Sequence, residues 1–416
     1  MEETTVAEVC EFCDGDGCAS CGREEAMRAE VTREREKLEK KPAPPPAPAA
    51  NGLRCSVLQE NLRAALAVVV RAVATRSTLP ITACVLISSD NGRLRLQCTD
   101  LELTVTAWCG ALIESEGAVA VDARYFAECI NALGPVSLAL DASGPRMAVK
   151  GGRAEHTFNT MKAEDFPSGA PFIGGESWET IPAAEMRAVG KRVVPAAASD
   201  GSRPVLTGVG YASDQDENRT WVAADGFRLA VLGGRMPVQC IVPARALRTV
   251  AALVGSEDVR CSTSTPGTRI AFRFGDIEVV TQIIQGTYPN YQQLIPEETA
   301  AEWVVEADDL KRSLGPVLPA ARHGSKIVRF RATENRVRVW TTGDDALGTA
   351  EGELEVEARG DDAHVALNAA YAQEAVDAFA GETVTIGLNG PSQQVTFRVD
   401  GYTHVVMPMF VQGWDS

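Results

Sequence analysis

Apolar residues along this chain switch repeatedly between two periods. The run ENLRAALAVVV, which begins at Glu60 and carries Leu62, spaces them as a helix with one buried face does. Val85 to Ser88, Arg93 to Gln97 and Glu102 to Ala107 then alternate or run β-branched, and Asp90-Asn91-Gly92 supplies a hairpin turn between the first two. A second helical run, DARYFAECINAL, follows from Asp122. Three more strand-like segments come next, Val136 to Leu140, Arg146 to Lys150 and His156 to Thr160, broken at Gly144-Pro145 and Gly151-Gly152. The pattern predicts helix, strands, helix, strands, an α+β unit of short helices packed on antiparallel sheet.

That unit recurs. Leu62, Met186 and Leu310 each sit early in a first helix and are 124 residues apart in both intervals. Arg124, Arg245 and Asn368 open the second helices, 121 and 123 apart. An aromatic or Met before proline closes each strand series, at Phe166-Pro167, Tyr288-Pro289 and Met407-Pro408. Three anchors in one order at nearly one period predict three copies of one domain, at 53–175, 176–299 and 300–416.

The first fifty residues differ. Glu24 to Lys41 is almost wholly charged, with Glu24/Arg28 and Glu36/Lys40 spaced as on one helix face. Pro42 to Pro48 then favours an extended spacer. Residues 1–22 hold Cys10, Cys13, Cys18 and Cys21 in a C-x2-C-x4-C-x2-C arrangement, and 23–52 form the charged segment and linker. Four thiolates suit tetrahedral zinc, and Gly15 and Gly17 permit the reversal that brings both pairs to one ion. The cluster resembles a compressed CxxCxGxG zinc repeat of chaperones. An iron–sulfur or redox pair, or an unliganded tail, stays open beside zinc.

At 416 residues the chain is long enough for several cores. It opens on acidic residues without an apolar leader, and no stretch approaches the roughly 20 apolar residues of a membrane span, so the expectation is a soluble, cytoplasmic protein. Cys55, Cys84, Cys98, Cys109, Cys129, Cys240 and Cys261 stand singly among apolar segments and read as small buried hydrophobes. The net charge of -16 excludes a protein that wraps nucleic acid by bulk charge. Yet five of the six repeat helices, with their exits, are cationic: Arg63, Arg71, Arg76, Arg124, Arg187, Lys191, Arg192, Arg203, Arg245, Arg248, Lys311, Arg312 and Arg322. With the helices turned inward in a ring, such a protein has a basic bore, which holds phosphates without reading bases.

Several segments then become recognisable. Arg76-Ser77-Thr78-Leu79-Pro80-Ile81, Cys98-Thr99-Asp100-Leu101-Glu102 and Glu164-Asp165-Phe166-Pro167 open the match, which continues through Arg203 to Val209, Ala223 to Ala230 and Gly286 to Tyr291. With the closing Val405-Val406-Met407-Pro408-Met409, the chain from Leu53 to about Val411 resembles the bacterial DNA sliding clamps, the beta subunit family of DNA polymerase III. The resemblance implies three tandem clamp domains, sheets outside and helices inside, in a ring made by a head-to-tail homodimer. It implies a non-catalytic processivity factor of a bacterium or bacteriophage that encircles duplex DNA independently of sequence and needs no cofactor. DNA contacts would fall on Arg76, Arg124, Arg187, Lys191, Arg192, Arg203, Arg245, Arg248, Lys311 and Arg312.

The same resemblance implies a cleft for short peptides of the polymerase and clamp loader. Its lining would be Leu206, Ala224, Gly226, Phe227, Arg228, Leu229, Pro289, Leu294, Val406, Met407, Pro408 and Met409, and flexible Met side chains suit an adaptable apolar groove. His156 and Phe158 would meet Pro319 and Ala320 at the dimer seam. Three departures stand out. Ala224 and Phe227 replace the family's usual Thr and a polar residue, Asp200 stands where a glutamine can face DNA, and the end runs on through Phe410 to Trp414 and Ser416 instead of stopping at Arg-Leu.

His156, His323, His364 and His404 lie in separate segments, without HExxH, G-x-S-x-G or a P-loop, so no catalysis is expected. Two other readings remain at this stage: a zinc-bearing DNA-binding regulator, and a clamp-like scaffold that binds peptides without encircling DNA.

Overall fold

The structure, a computed structural model, describes residues 52–74, 79–167, 178–213, 219–235, 239–264, 267–342, 348–411 and 414. The chain divides by compactness into Met1–Ala49 and Ala50–Ser416. The first unit, with Cys10, Cys13, Cys18, Cys21 and the charged segment, lies outside the described residues, as does Arg76.

The first copy comprises β1 (Arg54–Leu58), α1 (Gln59–Val69), β2 (Cys84–Asp90), β3 (Arg93–Thr99), β4 (Leu103–Ser115), β5 (Ala118–Asp122), α2 (Ala123–Ala132), β6 (Ser137–Asp141), β7 (Arg146–Gly151) and β8 (Ala154–Met161). The second comprises β9 (Glu179–Ile181), α3 (Ala183–Ala188) running into a π turn, β10 (Gly208–Ser213), β11 (Arg219–Ala224), β12 (Arg228–Gly233), β13 (Cys240–Pro243), α4 (Ala244–Leu253), β14 (Val259–Thr263), β15 (Arg269–Phe274) and β16 (Ile277–Gln282). The third has β17 (Ala301–Glu306), α5 (Ala307–Leu314), α6 (Val317–His323), β18 (Ile327–Thr333), β19 (Arg336–Thr342), β20 (Thr349–Glu355), β21 (Glu357–Gly360), β22 (His364–Asn368), α7 (Ala369–Ala378), β23 (Thr383–Leu388), β24 (Val395–Val399) and β25 (Tyr402–Val406).

Local chemistry accounts for these elements. Leu62, Ala65, Leu66 and Val69 bury one face of α1. Asn91 and Gly92 both take positive φ, the tight hairpin geometry that asparagine and glycine tolerate. The Asp122 and Asn368 side chains accept backbone N–H bonds from Tyr125 and Ala370 and start α2 and α7. Gly190 lets α3 approach α4, since a Cβ there would lie 2.2 Å from that of Ala251.

Each copy carries two antiparallel sheets built on four strands: β1-β6-β7-β8 with β5-β2-β3-β4, then β9-β14-β15-β16 with β13-β10-β11-β12, then β17-β23-β24-β25, extended by β21 on β17, with β22-β18-β19-β20. The copies join edge to edge. Leu103 of β4 pairs with Thr281 of β16, and Arg228 of β12 pairs with Val406 of β25, over five residue pairs in each case. Of the six strands that hold these joining positions, two have no partner in another copy among the described residues: β20 pairs with β19, and on its far side β8 meets only Ala120 and Val121 of β5, through Met161 and Thr160.

Register corrects two of the three sequence anchors. Leu62, Met186 and Leu310 are all buried in first helices that begin 124 residues apart. Cys84 faces Asp122, Gly208 faces Pro243 and Ile327 faces Asn368, so Asn368 matches Asp122 and not Arg124. Met161 pairs with Ala120, while the Ile284 and Met409 amides bond the carbonyls of Ile241 and Ala366. Met409 is thus the counterpart of Ile284 and Met161, and Met407-Pro408 does not correspond to Phe166-Pro167 or Tyr288-Pro289. A residue pair before a loop is a local signal, whereas loop lengths differ and the ladder fixes the equivalence.

Candidate functional site

At the junction of the second and third copies, Val222, Leu229 and Val405 form a small apolar cluster apart from the main core, with Ala224, Val231, Tyr288, Tyr291 and Ile295 packed on it. Gly210 makes room for Tyr288, because a Cβ there would stand 2.7 Å from the ring. The Tyr291 and Thr220 hydroxyls are 2.7 Å apart. Around this floor, Phe227 (61% exposed), Leu294, Met407, Met409 and Pro289 face solvent, with Pro408 half-buried and Leu206 buried. The exposed Gly226 has φ 94° and sets the turn that presents Phe227, whose carbonyl accepts from the Met407 amide. The junction is therefore a floor of aliphatic and tyrosine carbon inside a rim of Met, Leu and Phe, chemistry that takes an apolar, extended ligand.

Strand alternation redraws two residues of the expected lining. Leu229 and Val405 face the cleft, while Val406 is packed into the main core on the other side. Arg228 also turns inward: its guanidinium bonds Asp225 at 3.0 Å, pairs with Glu374 and lies 4.4 Å over the Tyr371 ring. It ties β12 to α7 and is not displayed to a ligand. The lining expected from the sequence did not include Tyr288, Tyr291, Ile295 or Val405. The aromatic pair flanking Pro289-Asn290 was the available signal.

Beneath the cleft a polar network crosses the same junction. The Tyr402 hydroxyl donates to the Arg192 carbonyl at 2.9 Å and lies 3.0 Å from His404 Nδ1. Arg192 pairs with Glu382 at 2.5 Å and stacks 5.1 Å from the Tyr402 ring. Burial, and secondly the Arg228 charge, push the His404 imidazole down from 6.5 to about 3. Burial pushes the Tyr402 and Tyr288 phenols up.

The expected DNA-contacting residues divide into two groups. Arg124, Lys191, Arg203 and Arg248 are exposed and carry no ion pair among the described residues. The others already have partners: Arg187 with the Gly255 carbonyl, Arg192 with Glu382, Arg245 with Asp100, Lys311 with Asp377 and Arg312 with Asp309. Of these, Arg192 is half-buried, and the rest are exposed.

On the open edge β8, His156 is half-exposed, but Phe158 is only 3% exposed and packs edge-on against Phe126 at 5.1 Å. Its ring belongs to the core of its own copy, so a seam there would use the strand backbone. Pro319 is exposed and Ala320 half-buried on α6. Among the described residues the seven cysteines are free, and burial pushes the thiols of Cys55, Cys84, Cys98, Cys109, Cys240 and Cys261 up, Cys55 to about 12 and Cys84 to about 11. No group of His, Cys, Asp or Glu among the described residues is placed to hold a metal.

Known proteins match this architecture along its length. The family models for the DNA polymerase III beta subunit match in order, the N-terminal domain over residues 53–170, the central domain over 180–290 and the C-terminal domain over 292–410. The beta sliding clamp of Synechocystis sp. is 27% identical over 387 residues, covering 84% of this chain and 97% of that protein. That of Escherichia coli (strain K12) is 26% identical over 372 residues, covering 86% and 100%. Among solved structures, the beta subunit of Thermotoga maritima superposes with a TM-score of 0.77 at 23% identity, covering 86% of this chain and 100% of that one. A Bartonella birtlesii sliding clamp bound to griselimycin gives 0.79 at 23% over the same shares. Three domain matches in sequence order, over the part of the chain that folds as three joined copies, place it in a family: the chain belongs to the DNA polymerase III beta subunit family, the sliding clamps.

Proposed function

We propose that two copies of this chain close head to tail into a ring of six domains that encircles duplex DNA and holds a replicative polymerase to it. The carrying observation is the repeated edge pairing. One strand contact joins copy one to copy two, the same contact joins two to three, and of the six strands in these two positions β20 and β8 are left without a partner in another copy among the described residues. Thr281 and Val406 occupy the position of Phe158, each three residues before the counterparts Ile284, Met409 and Met161. The pattern pairs Ala154–Phe158 of one protomer with the start of β20 in its partner. A contact between unlike edges is heterologous, and it closes after two chains only if three copies turn through half a circle.

Arg124, Lys191, Arg203 and Arg248 supply charges available for phosphates in an otherwise acidic chain, the arrangement that sliding without sequence readout needs. The cleft around Phe227, Leu294, Met407 and Met409 supports docking of short apolar segments of the polymerase and clamp loader. The chain serves as a non-catalytic accessory subunit. Among the described residues no helix is long and apolar enough to cross a membrane, and we place the protein in the bacterial cytoplasm. The four N-terminal thiols fit a structural zinc by ligand type and number.

The test is topological. Protein loaded onto closed circular DNA by its clamp loader should stay bound at high salt and be lost once the circle is cut. Loss from both forms, or retention on both, contradicts an encircling ring. Deleting residues 1–50 should leave circular retention intact, whereas a regulator that binds DNA through its tail loses it.

A further inference from the structure

One arrangement occurs in every copy of the fold. An aromatic side chain just beyond the last strand lies over the outer face of the second sheet. Phe166 does so in the first copy, five residues after Met161, closing a cluster with Ile81, Cys84, Leu86 and Ala120. Tyr288 does so in the second, four residues after Ile284, over Gly210 and Val222. Leu86 faces Gln97 and Gly210 faces Val222 across their hairpins, and the matching pair in the third copy is Arg329 with Trp340. Five residues after Met409 stands Trp414. Its ring lies 6.2 Å from that of Trp340, tilted by 74°, and 4.3 Å from His364, tilted by 69°. Trp414 thus completes the third copy of the repeat, in the role that Phe166 and Tyr288 play.

This anchoring has a consequence for the residue between. The Met409 amide bonds the Ala366 carbonyl at 2.8 Å, and Trp414 holds the chain further on. Phe410 follows Met409 and is 85% exposed, the most exposed large apolar side chain among the described residues. In the chain it stands next to Met409 of the rim. A phenylalanine held in water between two fixed points is preorganised for contact, since little chain entropy remains to be lost when a ligand covers it.

We propose that the C-terminal segment is a working part of the peptide cleft: Trp414 is a latch that fixes the segment on Trp340 and His364, and Phe410 is an added aromatic contact for an apolar peptide. The proposal rests on the cleft reading above and deepens it. It assigns Trp414 to positioning and Phe410 to direct contact.

Griselimycin, carried by the Bartonella birtlesii relative, serves as the probe in calorimetric titrations of the full-length chain. Four proteins are compared: unmodified, Leu294→Asp as the cleft control, Phe410→Ala and Trp414→Ala. Leu294→Asp should abolish binding. Phe410→Ala should weaken it about tenfold, the loss of one well-packed aromatic contact. Trp414→Ala should weaken it about fivefold on the same scale and speed hydrogen exchange at the Phe410 amide, while Trp414→Phe restores both. If Phe410→Ala and Trp414→Ala bind as the unmodified chain does while Leu294→Asp does not, the latch proposal is overturned and the cleft stands. Tighter binding by Trp414→Ala also overturns it, because the segment would then be a cover. If the unmodified chain fails to bind, or Leu294→Asp binds unchanged, the cleft reading itself fails and the latch proposal with it.

Discussion

His404 makes the stability of the junction between copies two and three depend on pH in a calculable way. The Tyr402 hydroxyl donates to the Arg192 carbonyl, so the contact at 3.0 Å requires the His404 Nδ1–H to donate to the phenol oxygen. Nε2 is then a bare acceptor, buried and without a partner among the described residues. Protonating it would place a cation in the core on the same side as Arg228, whose charge adds to the cost of burial. The folded-state pKa of about 3 lies below the value of 6.5 for an exposed imidazole. As pH falls through 6.5 the unfolded chain binds a proton that the folded chain refuses, so stability drops, and it goes on dropping until about pH 3. The slope approaches ~1.4 kcal/mol per pH unit, which amounts to about 2 kcal/mol between pH 7 and pH 5.

The perturbation is His404→Leu, which removes this titration and leaves the Tyr402 donation to Arg192 in place. Urea unfolding followed by tryptophan fluorescence at pH 7, 6 and 5 gives the stability of both proteins, and their difference cancels the carboxylates that titrate in each. That difference should move by about 2 kcal/mol in favour of the variant on going from pH 7 to pH 5. Parallel pH profiles for the two proteins would refute the reasoning, because they would mean that His404 takes up its proton equally well folded and unfolded.

The free and committed cations should separate in the salt dependence of DNA retention. Arg124→Ala, Lys191→Ala and Arg248→Ala should each lower the slope of log K against log salt by up to about 0.9. Arg192→Ala should leave the slope unchanged, since its guanidinium is held by Glu382; equal effects from all four would discard the assignment. Purified full-length protein should carry about one zinc per chain, the stoichiometry of a single four-thiolate site. Cys13→Ser should bring it near zero, and a zinc-free unmodified protein would remove the metal reading.

Much of this protein was legible in the residues themselves. The threefold repeat, the α+β pattern, the first helices under Leu62, Met186 and Leu310 and the hairpin at Asn91-Gly92 all follow from short-range rules. Helical and strand periods and turn geometry are decided within a few residues. The segments shared with sliding clamps, from Asp225-Gly226-Phe227 to Met407-Pro408-Met409, marked the cleft for the same reason: each is a contiguous run.

The tertiary structure decided what those runs do to one another. Whether Val405 or Val406 faces the cleft depends on a register with β12, and a slip of one residue would exchange them. Arg192 and Arg248 look alike in sequence, but only Arg192 meets a carboxylate, Glu382, lying 190 positions away. The equivalence of Trp414 with Phe166 and Tyr288 was hidden by unequal loops and emerged only once Met409, Ile284 and Met161 were aligned by their ladders. Local pattern selects an element and its buried face. Which edges pair, which charges are cancelled and which strand ends remain open are set by contacts between residues far apart in the chain, and a neighbourhood of ten residues carries no record of them.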